Sequence, residues 1–262
     1  PGRRGRAGGA TGGGIGMRGL AWVQALLAGI GLAVVLWAAP AAAQERILAY
    51  HSLLEVQADG SLEVTETIRV RAEGREIRRG IYRDFPTRYR DRAGNRVVVA
   101  FEPLEVLRDG RPEPWFTERR FNGVRLNTGD DRFLDVPAEV EYTLRYRTTR
   151  QLGFFPEHDE LYWNVTGLGW AFAIEKASAE VVLPGSLPAS SISVEAYTGP
   201  EGTQGRAWTA SSHEGGARFE TTAALRRNEG LTIVVGFPKG VVEAPSRLQR
   251  VGWLLYDNRG VL

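Results

Sequence analysis

The run Glu157, His158, Asp159, Glu160, followed by Tyr162, Trp163 and Asn164 and then by Trp170, holds the residue types best suited to chemistry in this chain. Clustered carboxylates can take a hard cation such as calcium, and aromatic faces beside carboxylates can hold a sugar ring. Both readings meet one objection. Successive side chains on an extended chain point to opposite sides, so four polar residues in a row do not converge on one ligand. The structural reading is therefore taken here: the aromatics, Trp163 above all, belong to a core, and the acids form a solvated turn. Asn164-Val165-Thr166 is a glycosylation sequon only where a suitable secretory pathway exists.

Catalytic templates find little else. The chain has no cysteine, and His51, His158 and His213 stand apart from any nucleophile-elbow or metal-helix spacing. No catalytic, metal or cofactor residue is assigned, and no enzyme is expected. A second cluster lies between Arg69 and Arg96, where ten arginines face Glu73, Glu76, Asp84 and Asp91. Arg78, Arg79, Arg83, Arg88, Arg90 and Arg92, interleaved with Tyr82, Phe85 and Tyr89, could form a patch for lipid phosphate or an anionic envelope polymer. The plainer reading puts these arginines on the solvent face of strands, paired with acids elsewhere. Glu66 is a separate case. By strand parity it falls with Val64 and Ile68 on an apolar face, where a carboxylate needs a partner such as a nearby arginine, unless the register breaks there.

The elements that must position these residues are strands. Leu62, Val64, Ile68 and Val70 share one face, Val140, Tyr142, Leu144 and Tyr146 another, and Leu231, Ile233, Val235 and Phe237 close the series. Asp59-Gly60 and Asp109-Gly110 are hairpin signals. No long amphipathic helix interrupts them. The expectation is an all-β chain, an antiparallel β-sandwich of two associated β lobes spanning 44–240, with a seam near 150–170 where Gly153, Pro156, Gly167 and Gly169 break the alternation. Residues 199–216 read as an exposed loop or weak hairpin.

Charge and the front of the chain set the compartment. The 33 basic residues include Arg3, Arg4, Arg6 and Arg18, all ahead of the first acid, so the body after residue 43 is close to neutral and a nucleic-acid partner is not expected. Residues 1–16 read as upstream or disordered sequence. Residues 17–43 read as a signal peptide: Met17 as the start, Arg18, an apolar stretch from Leu20 to Ala39, and Ala41-Ala42-Ala43 for cleavage before Gln44. Retention of that stretch as an anchor is the alternative. Residues 241–262 read as a linker leading toward a transmembrane segment beyond Leu262, with Trp253 and Tyr256 suited to a membrane interface.

Three segments carry a family resemblance. Gly80-Ile81-Tyr82-Arg83-Asp84-Phe85-Pro86, Tyr142-Thr143-Leu144-Arg145-Tyr146, and Glu160-Leu161-Tyr162-Trp163-Asn164-Val165-Thr166-Gly167 with Trp170 and Val181-Val182-Leu183-Pro184 resemble bacterial predicted membrane proteins bearing the domain of unknown function 2207. The resemblance covers about 45–240. It implies a signal peptide, an extracytoplasmic β domain and later transmembrane helices, and it brings no catalytic residues. The expected function is a non-catalytic binding or interaction module on the extracytoplasmic side of the cell membrane, with an envelope protein or anionic polymer as partner. The rivals are an envelope enzyme acting on glycans and a structural subunit of a membrane complex.

Overall fold

Period-two patterning becomes strand throughout the computed structural model, which describes residues 44–90 and 94–259. The segment 1–16, the expected signal peptide at 17–43, Arg92 and the terminal Gly260-Val261-Leu262 lie outside the described residues. Asp59-Gly60 turns β1 (Arg46–Val56) into β2 (Leu62–Ala72). Gly60 supplies the left-handed backbone, φ +78°, and the Asp59 carboxylate accepts from both the Ser61 N–H and its hydroxyl, which closes the turn.

On its other edge β2 takes β10 (Ala138–Thr148), with Leu144 opposite Glu66 and Tyr146 opposite Val64. The inward rows of both strands are buried. The sheet grows outward through β6 (Phe101–Arg108) and β7 (Arg111–Pro112) on one side. On the other side β1 takes β13 (Ala177–Val182), then β16 (Gly216–Thr221) and β15 (Trp208–His213), making eight strands. A four-stranded sheet of β11 (Leu152–Phe154), β12 (His158–Asn164), β17 (Gly230–Pro238) and β14 (Ser193–Gly199) shares one apolar core with it. A three-stranded sheet, β3 (Tyr82–Pro86), β9 (Gly123–Thr128) and β8 (Trp115–Arg120), and a ribbon of β4 (Arg88–Arg90) with β5 (Arg96–Val98) complete the strands. The chain is mostly β, as its patterning predicts.

Three features depart from the expected outline. The pairing of β1 with β13 is parallel, which local patterning does not reveal because the two strands lie more than a hundred residues apart. The expected lobe seam at 150–170 is occupied by β11 and β12, and the eight-stranded sheet draws strands from both sides of it. Residues 44–259 therefore gather as one compact unit. Of the glycines there, Gly153 lies within β11, paired with Glu160, while Gly167 and Gly169 belong to the turn after β12. Inside the expected linker, Arg247–Asn258 form a helix, α1, opened by a capping box between Ser246 and Gln249.

Candidate functional site

Parity placed Glu66 on the apolar face, and the register of β2 stays unbroken through it: its carboxylate is 0% exposed. A charge so far from water needs partners. Arg83 supplies them, its Nε reaching Glu66 Oε2 at 3.0 Å and its Nη2 reaching Oε1 at 3.1 Å. The Tyr146 hydroxyl donates to Oε1 at 2.9 Å, and the Arg83 Nε–H is shared with the Tyr50 hydroxyl at 3.0 Å. These groups meet because Tyr146 stands diagonally across the β2–β10 ladder from Glu66, while Tyr50 occupies the corresponding diagonal on β1. Arg83 enters from β3, whose alternation turns Arg83 and Phe85 inward and Tyr82 outward.

The remaining side of the guanidinium meets the turn that follows β12. The Val165 carbonyl accepts from Arg83 Nη2 at 3.1 Å, and the Asp84 carbonyl from Nη1 at 3.1 Å. Asn164 Oδ1 accepts the Gly167 N–H, and the Thr166 carbonyl accepts the Trp170 indole N–H at 2.7 Å. Gly167 sits at φ +72°, and a Cβ there would stand 2.5 Å from Arg83 Nη1. Only glycine lets the turn approach so closely. Three of the segments that carry the resemblance thus meet at one buried cluster: Arg83 from the first, Tyr146 from the second, Val165, Gly167 and Trp170 from the third. Burial, helped by Glu66, pushes the Tyr50 and Tyr146 hydroxyls well above the ordinary tyrosine range. Burial alone would lower the Arg83 pKa, but the Glu66 carboxylate and the two tyrosines outweigh it and raise it. Arg83 therefore stays a cation.

Arg83 and Tyr146 of this cluster floor a cavity of about 590 Å³, in the range of small-molecule sites. Phe85, Phe101, Trp163 and Trp170 wall it, with Phe85 and Phe101 stacked at 4.1 Å. Tyr82, Tyr89 and Tyr162 line it while remaining exposed. A second cavity of about 400 Å³ shares Tyr162, Asn164, Leu168 and Glu201 with the first, so the two adjoin at Tyr162.

The residues singled out from the sequence are dispersed by this fold. Within the acidic run, β12 turns Asp159, Leu161 and Trp163 inward and His158, Glu160 and Tyr162 outward, as strand alternation requires. Glu157 is exposed on the preceding turn, and His158 stacks on Phe155. The reading of these acids as a solvated turn fails for Asp159, which is buried and held by Lys239 Nζ. Tyr162, Trp163, Asn164 and Trp170 do come together, around the cavity. Of the basic cluster, Arg83 goes to the core, Arg78 and Arg79 lie over the Phe133 ring, and Arg88 and Arg90 stay exposed on β4. Tyr50, Phe101, Tyr146 and Glu201 were not anticipated; each looks like an ordinary strand or loop residue until distant segments are joined. No group of three or more metal-ligating side chains occurs among the described residues.

A family profile described as predicted membrane protein (DUF2207) N-terminal domain matches residues 46–237. The uncharacterized protein YciQ of Escherichia coli (strain K12) is 28% identical over 155 residues, 58% of this chain. That match takes in only 25% of the relative's own length. Among solved structures, leukotriene A4 hydrolase from Saccharomyces cerevisiae aligns at TM-score 0.43 and 14% identity, over 73% of this chain and 29% of that one. An M1 zinc metallopeptidase from Deinococcus radiodurans aligns at 0.39 and 15%, over 73% and 42%. Both likenesses are loose. Among the described residues no helix is long and apolar enough to cross a membrane.

Proposed function

This chain belongs to the DUF2207 family of predicted membrane proteins, and from that premise we propose that its β domain is a non-catalytic module that binds an extended glycan outside the cytoplasm. The observation that carries the reading is the pair of adjoining cavities with exposed Tyr162 on the ridge between them. Exposed aromatic faces beside Asn164, Asn122 and Glu201 are the groups that stack on sugar rings and bond their hydroxyls. A second cavity across the ridge suits a chain of rings better than a single one.

The floor of the site favours binding over turnover. Glu66 could serve as a general acid or base only if an oxygen reached the substrate, and both of its oxygens are held by Arg83, with one also taking Tyr146. Asp84, on the wall, is gripped by Arg125 through two bonds of 2.6 and 2.7 Å. Display on the outer side of the membrane is part of the proposal and rests on the leader from Arg18 to Ala43. Anchorage by membrane helices outside this chain rests on the family.

Titration calorimetry with soluble cell-wall glycan fragments of increasing length is the test. Affinity should rise from one disaccharide to three, and Tyr162→Ala, at a position 59% exposed and so harmless to the fold, should weaken binding about five- to tenfold. Absence of binding at every length sinks the glycan reading. Shortening of the fragments during the experiment would establish the rival envelope enzyme instead.

A further inference from the structure

Helix α1 is amphipathic in the opposite sense to a helix packed on a core. Its contact with the domain is polar. Asp257, buried, accepts the Val98 N–H at 3.1 Å and pairs with Arg150 at 2.8 Å. The Asn258 side chain bonds both the N–H and the carbonyl of Arg96, and the Arg150 guanidinium lies 4.6 Å from the Trp253 ring. At about 100° per residue, Leu248, Val251 and Leu255 fall on the side away from Asp257. They are 85%, 54% and 53% exposed, and Tyr256 is 64% exposed. A helix of three turns is marginal by itself, and this one leaves its apolar stripe uncovered.

Charge identifies what covers it. The one acid of α1 is consumed by Arg150, while Arg247, Arg250 and Arg259 are exposed. The outward face is therefore leucine and valine flanked by Arg247 and Arg259 with no acid of the helix beside them, the pattern of helices that lie in the interface of an anionic bilayer. A protein partner would leave that uniform sign unexplained. Twelve residues span about 18 Å, too short to cross a bilayer, so the helix would lie along it.

We propose that α1 rests on an anionic lipid surface, Leu248, Val251 and Leu255 entering the acyl boundary and the flanking arginines meeting phosphates. No residue of α1 lines the glycan cavity, so either assignment can fail alone. The chain lacks cysteine, so Leu255→Cys gives a single site for an environment-sensitive fluorophore in the full chain, with Ser211→Cys on the edge strand β15 as the control. The probe is vesicles of phosphatidylcholine, with or without about one third phosphatidylglycerol, carrying brominated acyl chains. Expected is a blue shift and quenching at Leu255 on the phosphatidylglycerol vesicles, largely lost on pure phosphatidylcholine, in high salt or with Arg247→Gln plus Arg259→Gln, and absent at Ser211. An unresponsive label at Leu255 overturns the proposal. So does a blue shift that grows with protein concentration in the absence of lipid, which would assign the face to a second copy of the chain.

Discussion

Glu63 and Glu66 stand three residues apart on β2, and each meets arginine, yet they do opposite jobs. Glu63 points outward, where Arg145 reaches it at 2.6 Å and Arg147 lies 3.7 Å away, both arginines being about half exposed. Glu66 points inward and is closed from water by Arg83, Tyr50 and Tyr146. Outside, the arginines stay about half in water and gain little from Glu63, because water screens them and their side chains lose freedom on pairing. Inside, the pair costs heavily to desolvate. It is retained as a unit that fixes where β3 and the 164–170 turn meet, and with them the cavity floor. An ion pair's contribution is set by its surroundings rather than by the residues that form it.

Removing the inner carboxylate should break that comparison most visibly. Glu66→Ala leaves the Arg83 guanidinium buried without its counterion and should cost about 3–5 kcal/mol in urea unfolding. A loss under about 1 kcal/mol would place both glutamates in the same class and remove the basis for the contrast. The next effect tests how tightly the inner cluster is held. Gly167→Ala both strains a backbone at φ +72° and drives a methyl to within 2.5 Å of Arg83 Nη1, for an expected loss of about 1–3 kcal/mol. Gly169, in the same turn with nothing within 4 Å of a would-be Cβ, provides the control. Equal tolerance of alanine at both positions would mean that Arg83 moves freely. The smallest effect belongs to the outer pair: Glu63→Ala should change stability by less than about 1 kcal/mol, and that change should fade in 1 M salt. A larger, salt-insensitive loss would show the outer pair to be shielded as well.

Much of this architecture was legible from alternation alone, because a half-buried strand records its inward face in every second residue. That rule put Glu66 on an apolar face and kept the four polar residues at 157–160 from converging on one ligand. It failed where two alternatives share one local pattern. Asp159 reads as a turn acid beside Glu157, yet β17 pairs with β12 and carries the chain on to Lys239 above it. The Gly and Pro residues at 153–169 look the same whether they end a domain or turn a strand.

The sequence by itself determined the mostly-β class, the buried faces of β2, β10 and β17, the Asp59-Gly60 hairpin and a carboxylate on an apolar face that would need a cation if the register held. Only the tertiary structure decided which of ten arginines would answer it, that tyrosines from β1 and β10 would complete the cluster, and that the Asn164–Gly167 turn would close over the guanidinium. Patterning acts through neighbours along the chain. The cluster depends on pairings between residues separated by 17, 33, 80 and 82 positions, and no local preference can encode that separation.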